Sequence, residues 1–76
     1  MYTVTYEDDN EIYGKYTTLD SAVNALLNCA GYYVRKDGYI HQNGDAVSEK
    51  DYKDIRQSVV KNKRLEDHGL FTIITD

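Results

Sequence analysis

The sequence predicts an α+β domain, with two helices on one face of a mainly antiparallel sheet of about five strands in the order β-β-α-β-β-α-β. The apolar residues between Thr18 and Gly31 recur at a helical spacing, which indicates an amphipathic helix. Before and after this segment, β-forming residues alternate with polar ones or run together, with turn-forming residues between them. The 76 residues contain no repeat and no linker, so we expect one domain over 1–76.

The N-terminal segment predicts a hairpin. Tyr2, Val4 and Tyr6 share one face of a strand because side chains alternate across a sheet. An acidic run then predicts a turn, and the strand pattern resumes over 12–16. Gly14 interrupts this second strand, which indicates a β-bulge or the close approach of another backbone, with a bulge the commoner cause.

The first helix has signals at both ends. Thr18 is a suitable N-cap, Asp20 complements the helix dipole in the first turn, and Gly31 suits a left-handed C-terminal residue. Its apolar stripe consists of Leu19, Ala22, Val23, Leu26, Leu27 and Ala30. We expect this stripe to lie on the core.

A second hairpin follows the helix, and its register can be predicted. A three-residue turn over 36–38 pairs Val34 with Ile40 and Tyr33 with His41. This register leaves one apolar face and one polar aromatic face. A two-residue turn would mix the two faces, so we expect the longer turn.

The C-terminal part predicts a second helix and a last strand. Ser48 and the acids after it indicate a helix start, and the helix is expected from about Glu49 to about Lys63. Its narrow apolar stripe consists of Tyr52, Ile55 and Val59. The run over 70–75 is the most strongly β-forming in the chain, and we expect a central strand there.

Charge is unevenly distributed along the chain. The net charge is −4, and residues 1–34 account for it with five acids and one lysine, while residues 35–76 hold eight acids and eight bases. An acidic chain of this kind is poorly suited to non-specific nucleic-acid binding, although a local basic patch is compatible with it. The basic cluster Lys61, Lys63 and Arg64 would either contact phosphates or compensate the charge of a helix end.

The composition argues against an enzyme and against a metal site. A chain of 76 residues has little core with which to frame a deep pocket, and no Gly-rich phosphate loop, paired-acid arrangement or serine elbow is present. Cys29, His41 and His68 lack the paired spacing of zinc ligands, and we expect Cys29 to be a small buried thiol. We therefore expect no catalysis, no metal and no cofactor.

The compartment follows from cysteine usage and from apolar run length. The single cysteine cannot form an internal disulfide, and no apolar run reaches the length of a signal peptide or a membrane span. We expect a cytoplasmic protein without a membrane partner.

Two groups of side chains are candidates for binding a partner. The acidic residues of the first turn would form a solvated turn, attract a basic protein partner or hold a cation, although the ordered spacing of a calcium loop is missing. The polar face of the second hairpin carries the tyrosine and arginine types enriched at interface hot spots, or else these pairs stabilise a solvated sheet face. The candidate contact residues are Asp8, Asp9, Glu11, Tyr33, Arg35, Tyr39 and His41.

A very short single domain with an acidic first hairpin, a tyrosine-rich surface and no catalytic motif is similar to small accessory proteins of phages and mobile elements, including anti-CRISPR inhibitors. The resemblance covers the size and texture of the whole chain and assigns no residue a role. It implies a protein that binds a protein or ribonucleoprotein partner and blocks it sterically or by charge mimicry. The alternative expectations are a small nucleic-acid-binding regulator and a structural or oligomerisation module.

Overall fold

A computed structural model describes residues 1–6, 11–34, 40–42, 45–66 and 69–75. These residues form two helices and seven strands, which confirms the α+β class. In chain order the elements are β1 Tyr2–Tyr6, β2 Glu11–Tyr16, α1 Leu19–Cys29, β3 Tyr32–Val34, β4 Ile40–Gln42, β5 Asp45–Val47, α2 Glu49–Asn62, β6 Arg64–Glu66 and β7 Leu70–Thr75.

The strands divide into two antiparallel sheets, which differs from the expected arrangement of about five strands in one sheet. The larger sheet has the order β2-β1-β7-β6, and the smaller one has the order β3-β4-β5. The two extra strands, β5 and β6, have three residues each, too few to show a period in the sequence. The final strand β7 lies between β1 and β6, as predicted for a central strand.

The first hairpin contains the bulge that Gly14 indicated. Val4 pairs with Gly14 and Thr5 pairs with Ile12, so Tyr13 is the extra residue on β2. A Cβ atom at Gly14 would lie 2.6 Å from the Tyr16 hydroxyl oxygen, because the Tyr16 side chain covers the glycine. The space beside Gly14 at the bulge is thus occupied by the Tyr16 side chain of the same strand.

Helix α1 is capped and buried as the sequence predicts. The Thr18 side chain accepts a hydrogen bond from the Ser21 amide at 3.2 Å, and Gly31 follows the C-cap with a φ of 96°. The helix packs on β1, β2, β3, β7 and α2. The buried core residues are Val4, Ala22, Val23, Leu26, Leu27, Ala30, Tyr32, Val59, Phe71 and Ile73.

The register of the second hairpin is the predicted one. Tyr32 pairs with Gln42, Tyr33 with His41 and Val34 with Ile40. The turn residues 36–38 lie outside the described part of the chain.

Helix α2 begins and ends within one residue of the prediction. The Ser48 hydroxyl accepts a hydrogen bond from the Asp51 amide at 3.1 Å, and Lys63 closes the helix in the left-handed region with a φ of 55°. The carbonyl of Lys63 then accepts a hydrogen bond from the Ile73 amide at 2.8 Å, which ties the helix end to β7. Through Val59, α2 contributes to the core beside α1.

Candidate functional site

Most of the predicted contact residues either lie outside the described residues or are described only by their position in a strand. Asp8, Asp9, Arg35 and Tyr39 fall outside the described residues, so their role stays a prediction. For Glu11 and His41 the structure gives the strand position: Glu11 begins β2 opposite Tyr6, and His41 lies in β4 opposite Tyr33. Tyr33 itself is 43% exposed, as expected for the polar face of the hairpin.

A different part of the described surface is concave. The smaller sheet and α2 form the two walls of an open cleft with a volume of about 440 Å³, which we call the acidic cleft. The described residues that line it are Tyr32, Gln42, Asp45, Ala46, Val47, Asp51, Asp54 and Ile55.

The sheet wall is a row of cross-strand neighbours. Tyr32 on β3 pairs with Gln42 on β4, and Gln42 pairs with Asp45 on β5, so the three side chains share one face. Val47 lies on the same face because it is two residues beyond Asp45. The register of the small sheet therefore places a carboxylate beside apolar surface.

The helix wall presents Asp51, Asp54 and Ile55, which are neighbours on α2 at i, i+3 and i+4. The rings of Tyr32 and Tyr52 are in contact, with their centroids 6.1 Å apart. Tyr32 belongs to the buried core, and Tyr52 packs against it, so this contact joins β3 to α2.

The cleft is electrostatically one-sided. Among the described residues no lysine or arginine lines it, and none forms an ion pair with Asp45, Asp51 or Asp54. Asp51 lies in the first turn of α2, where the helix dipole favours an acid. Asp54 lies beyond that turn, where the dipole no longer favours an acid. It is three residues from Asp51 on the same helix face, so the two carboxylates repel each other.

A second concave surface lies on α2 and has the opposite chemistry. This α2 groove has a volume of about 370 Å³ and is lined by Lys53, Arg56, Gln57, Val60 and Lys61. Two of its cations are already paired within the chain. Lys53 lies 3.5 Å from a carboxylate oxygen of Glu49, and Arg56 contacts both Asn24 and Asp20.

Cys29 is exposed, so the expectation of a buried thiol is wrong. At about 100° per residue, position 29 lies about 90° from the middle of the apolar stripe of α1, and the stripe therefore does not carry it into the core. Partial burial nevertheless raises the pKa of the Cys29 thiol above its ordinary value. A raised pKa reduces the thiolate fraction at neutral pH, which is the opposite of an activated nucleophile.

The described residues contain no group of three or more histidine, cysteine or acidic side chains arranged to hold a metal ion. Within the same residues, no helix is both long and apolar enough to cross a membrane.

The acidic cleft residues belong to separate segments of the sequence: Asp45 precedes α2, and Asp51 and Asp54 lie within it. Their common signal is the spacing of Asp51, Asp54 and Ile55 on one helix face, opposite the Tyr32–Gln42 pair that the predicted register already contained. What could not be inferred was β5, which carries Asp45 to that pair.

Comparison of the chain with protein-family models, with curated proteins and with solved structures finds no match. Function is therefore inferred from the geometry and charge of the described surface.

Proposed function

We propose that this chain is a small binding protein that acts through a macromolecular interface and that it holds a protein partner at the acidic cleft. The observation that carries the proposal is the cleft itself, in which three carboxylates face apolar surface without a described counter-charge. Charges arranged in this way steer a complementary partner and fix its orientation. Apolar surface beside them supplies the part of the binding free energy that depends on burial.

A bound partner would be blocked sterically or by charge mimicry. The acidic cleft gathers Asp45, Asp51 and Asp54 in one concave surface, although residues 35–76, which contain them, carry no net charge. A basic surface that normally contacts phosphate groups would meet similar charge here. We propose that the protein is a cytoplasmic inhibitor of a host defence or host enzyme complex. The small phage proteins that it resembles in size, acidic first hairpin and tyrosine-rich surface act in this way.

The α2 groove is the observation that favours the alternative, a nucleic-acid-binding regulator. Three cations line it, and cations that neutralise phosphates dominate nucleic-acid affinity. However, Lys53 and Arg56 are paired with acidic side chains of the same chain, which leaves Lys61 as the cation without a described ion pair. We therefore rank this function below protein binding.

Affinity capture with matched variants tests the proposal. The wild-type chain, Asp54→Asn and Glu66→Gln are immobilised and exposed to lysate of the host cell, with and without nuclease treatment, and the retained proteins are compared. Asp54 lines the cleft, whereas Glu66 lies on β6 away from it, and each substitution removes one charge. We expect a protein that the wild type and Glu66→Gln retain and that Asp54→Asn loses.

Two results would contradict the proposal. Retention that is equal for all three chains would mean that the acidic cleft is not the contact surface. A partner that disappears on nuclease treatment would instead support the nucleic-acid function, and Lys61→Gln would then be the variant that weakens binding.

A further inference from the structure

We infer that the group taken up by the acidic cleft is the side chain of an arginine or lysine in a basic segment of the partner. The inference rests on the proposed function and names the chemistry of the partner at that site. We base it on the apolar and the anionic side chains that line different parts of the acidic cleft.

The lining separates into an apolar part and an anionic part. Val47 and Ile55 provide apolar surface, and Asp45, Asp51 and Asp54 provide carboxylates on both walls. A long basic side chain has the same division, because its aliphatic stem is apolar and its end group is cationic. An aliphatic residue would leave the carboxylates unpaired, and an acidic residue would be repelled.

A bare divalent cation fits the cleft less well than a basic side chain. Such a cation needs several oxygen ligands within about 2.6 Å, and the described carboxylates do not converge into a metal-binding group. A guanidinium instead presents five N–H donors in a planar fork and can contact carboxylates on two walls at once. Arginine is therefore the side chain that we expect to bind better of the two.

A peptide titration tests this without the cellular partner. The probes are acetyl-Gly-Arg-Gly-amide and its citrulline analogue, which keeps the shape of arginine but carries no charge. Both are titrated into the ¹⁵N-labelled chain at near-physiological salt and followed by NMR. We expect saturable shifts at the amides of Ala46, Val47 and Ile55 with the arginine peptide, and about tenfold weaker binding of the citrulline peptide, because a charge-assisted hydrogen bond is lost.

The variants make the result specific to the cleft. Asp54→Asn should lower the affinity for the arginine peptide by about threefold to tenfold, whereas Glu66→Gln should bind the peptide with the wild-type affinity. Equal affinity for the arginine and citrulline peptides would overturn the inference. Chemical-shift changes that spread over all acidic surfaces, or that persist unchanged in Asp54→Asn, would overturn it as well.

The failure of this inference can be distinguished from the failure of the proposed function. A captured partner that depends on Asp54, combined with peptides that do not distinguish arginine from citrulline, would overturn only the side-chain assignment. Peptide binding at the cleft without any Asp54-dependent partner would contradict only the proposed function.

Discussion

Gly69 occupies a position where a side chain is excluded by conformation and by space. Its φ is 142°, and a Cβ atom there would lie 2.6 Å from Cζ of Tyr6. The Tyr6 ring cannot move away easily because it stacks on Phe71 with ring centroids 4.8 Å apart. We expect Gly69→Ala to lower the free energy of unfolding by about 2 kcal/mol or more, as measured by urea denaturation.

Gly14→Ala is the matched control for this prediction. Its Cβ would meet the hydroxyl end of Tyr16, but the φ of Gly14 is not positive, so only the side-chain contact has to relax. We expect a clearly smaller loss of stability than for Gly69→Ala. Equal losses would mean that the backbone conformation at Gly69 contributes nothing.

Cys29 provides a prediction about pH. Because burial raises the pKa of its thiol, the thiolate fraction of the folded chain should be lower than that of the unfolded chain at every pH below that pKa. We expect iodoacetamide to alkylate Cys29 more slowly in the native protein than in urea. The native rate should also begin its rise at a higher pH, as followed by mass spectrometry. A native rate profile that starts at a lower pH would contradict the direction of the shift.

Arg56 connects the two helices, and this connection can be measured. Its Nη1 donates a hydrogen bond to Oδ1 of Asn24, and its Nη2 lies 3.6 Å from a carboxylate oxygen of Asp20. The Asp20 side chain is 86% exposed, so its ion pair should contribute only about 0.2–1 kcal/mol and should weaken with salt.

Double-mutant cycles of Arg56→Met with Asn24→Ala and with Asp20→Asn should separate the two contacts. We expect the coupling energy with Asn24 to persist at about 1 kcal/mol in 1 M NaCl, while the coupling with Asp20 falls towards zero. A salt-insensitive Asp20 coupling would mean that the pair is held in a drier environment than its exposure indicates.

The elements that the sequence predicted correctly are those whose signals repeat. Helix α1 has an apolar stripe and two end signals, and the β3–β4 register follows from one choice of turn. The strands β5 and β6 were not predicted because three residues cannot show a period and because each is specified by its neighbour across the sheet. Since β5 supplies Asp45, the acidic cleft was missed together with this strand.

At the level of the whole molecule, the two sheets are supported unequally. Strands β1 and β7 are both internal to the larger sheet and both contact α1. In the smaller sheet β3 contacts α1, while β4 and β5 contact mainly the strands beside them. Local opening requires less free energy where fewer buried contacts are broken.

Native-state hydrogen exchange should show this difference. We expect amides of β1 and β7 to exchange only through global unfolding, with a strong dependence on denaturant, and those of β4 and β5 to exchange through a smaller opening with a weak dependence. Exchange of all four strands at one free energy would mean that the two sheets unfold together.

The same experiment connects stability with the proposed binding. One wall of the acidic cleft lies in the smaller sheet, so a ligand that needs both walls binds only when that sheet is closed. By linkage, saturating arginine peptide should raise the protection of β4 and β5 by RT ln(1 + [L]/Kd). Amides that exchange only through global unfolding should gain the same increment, because the unfolded chain does not bind. Protection that rises in β1 and β7 but not in β4 and β5 would show that the ligand binds while the smaller sheet is open and would place it outside the cleft.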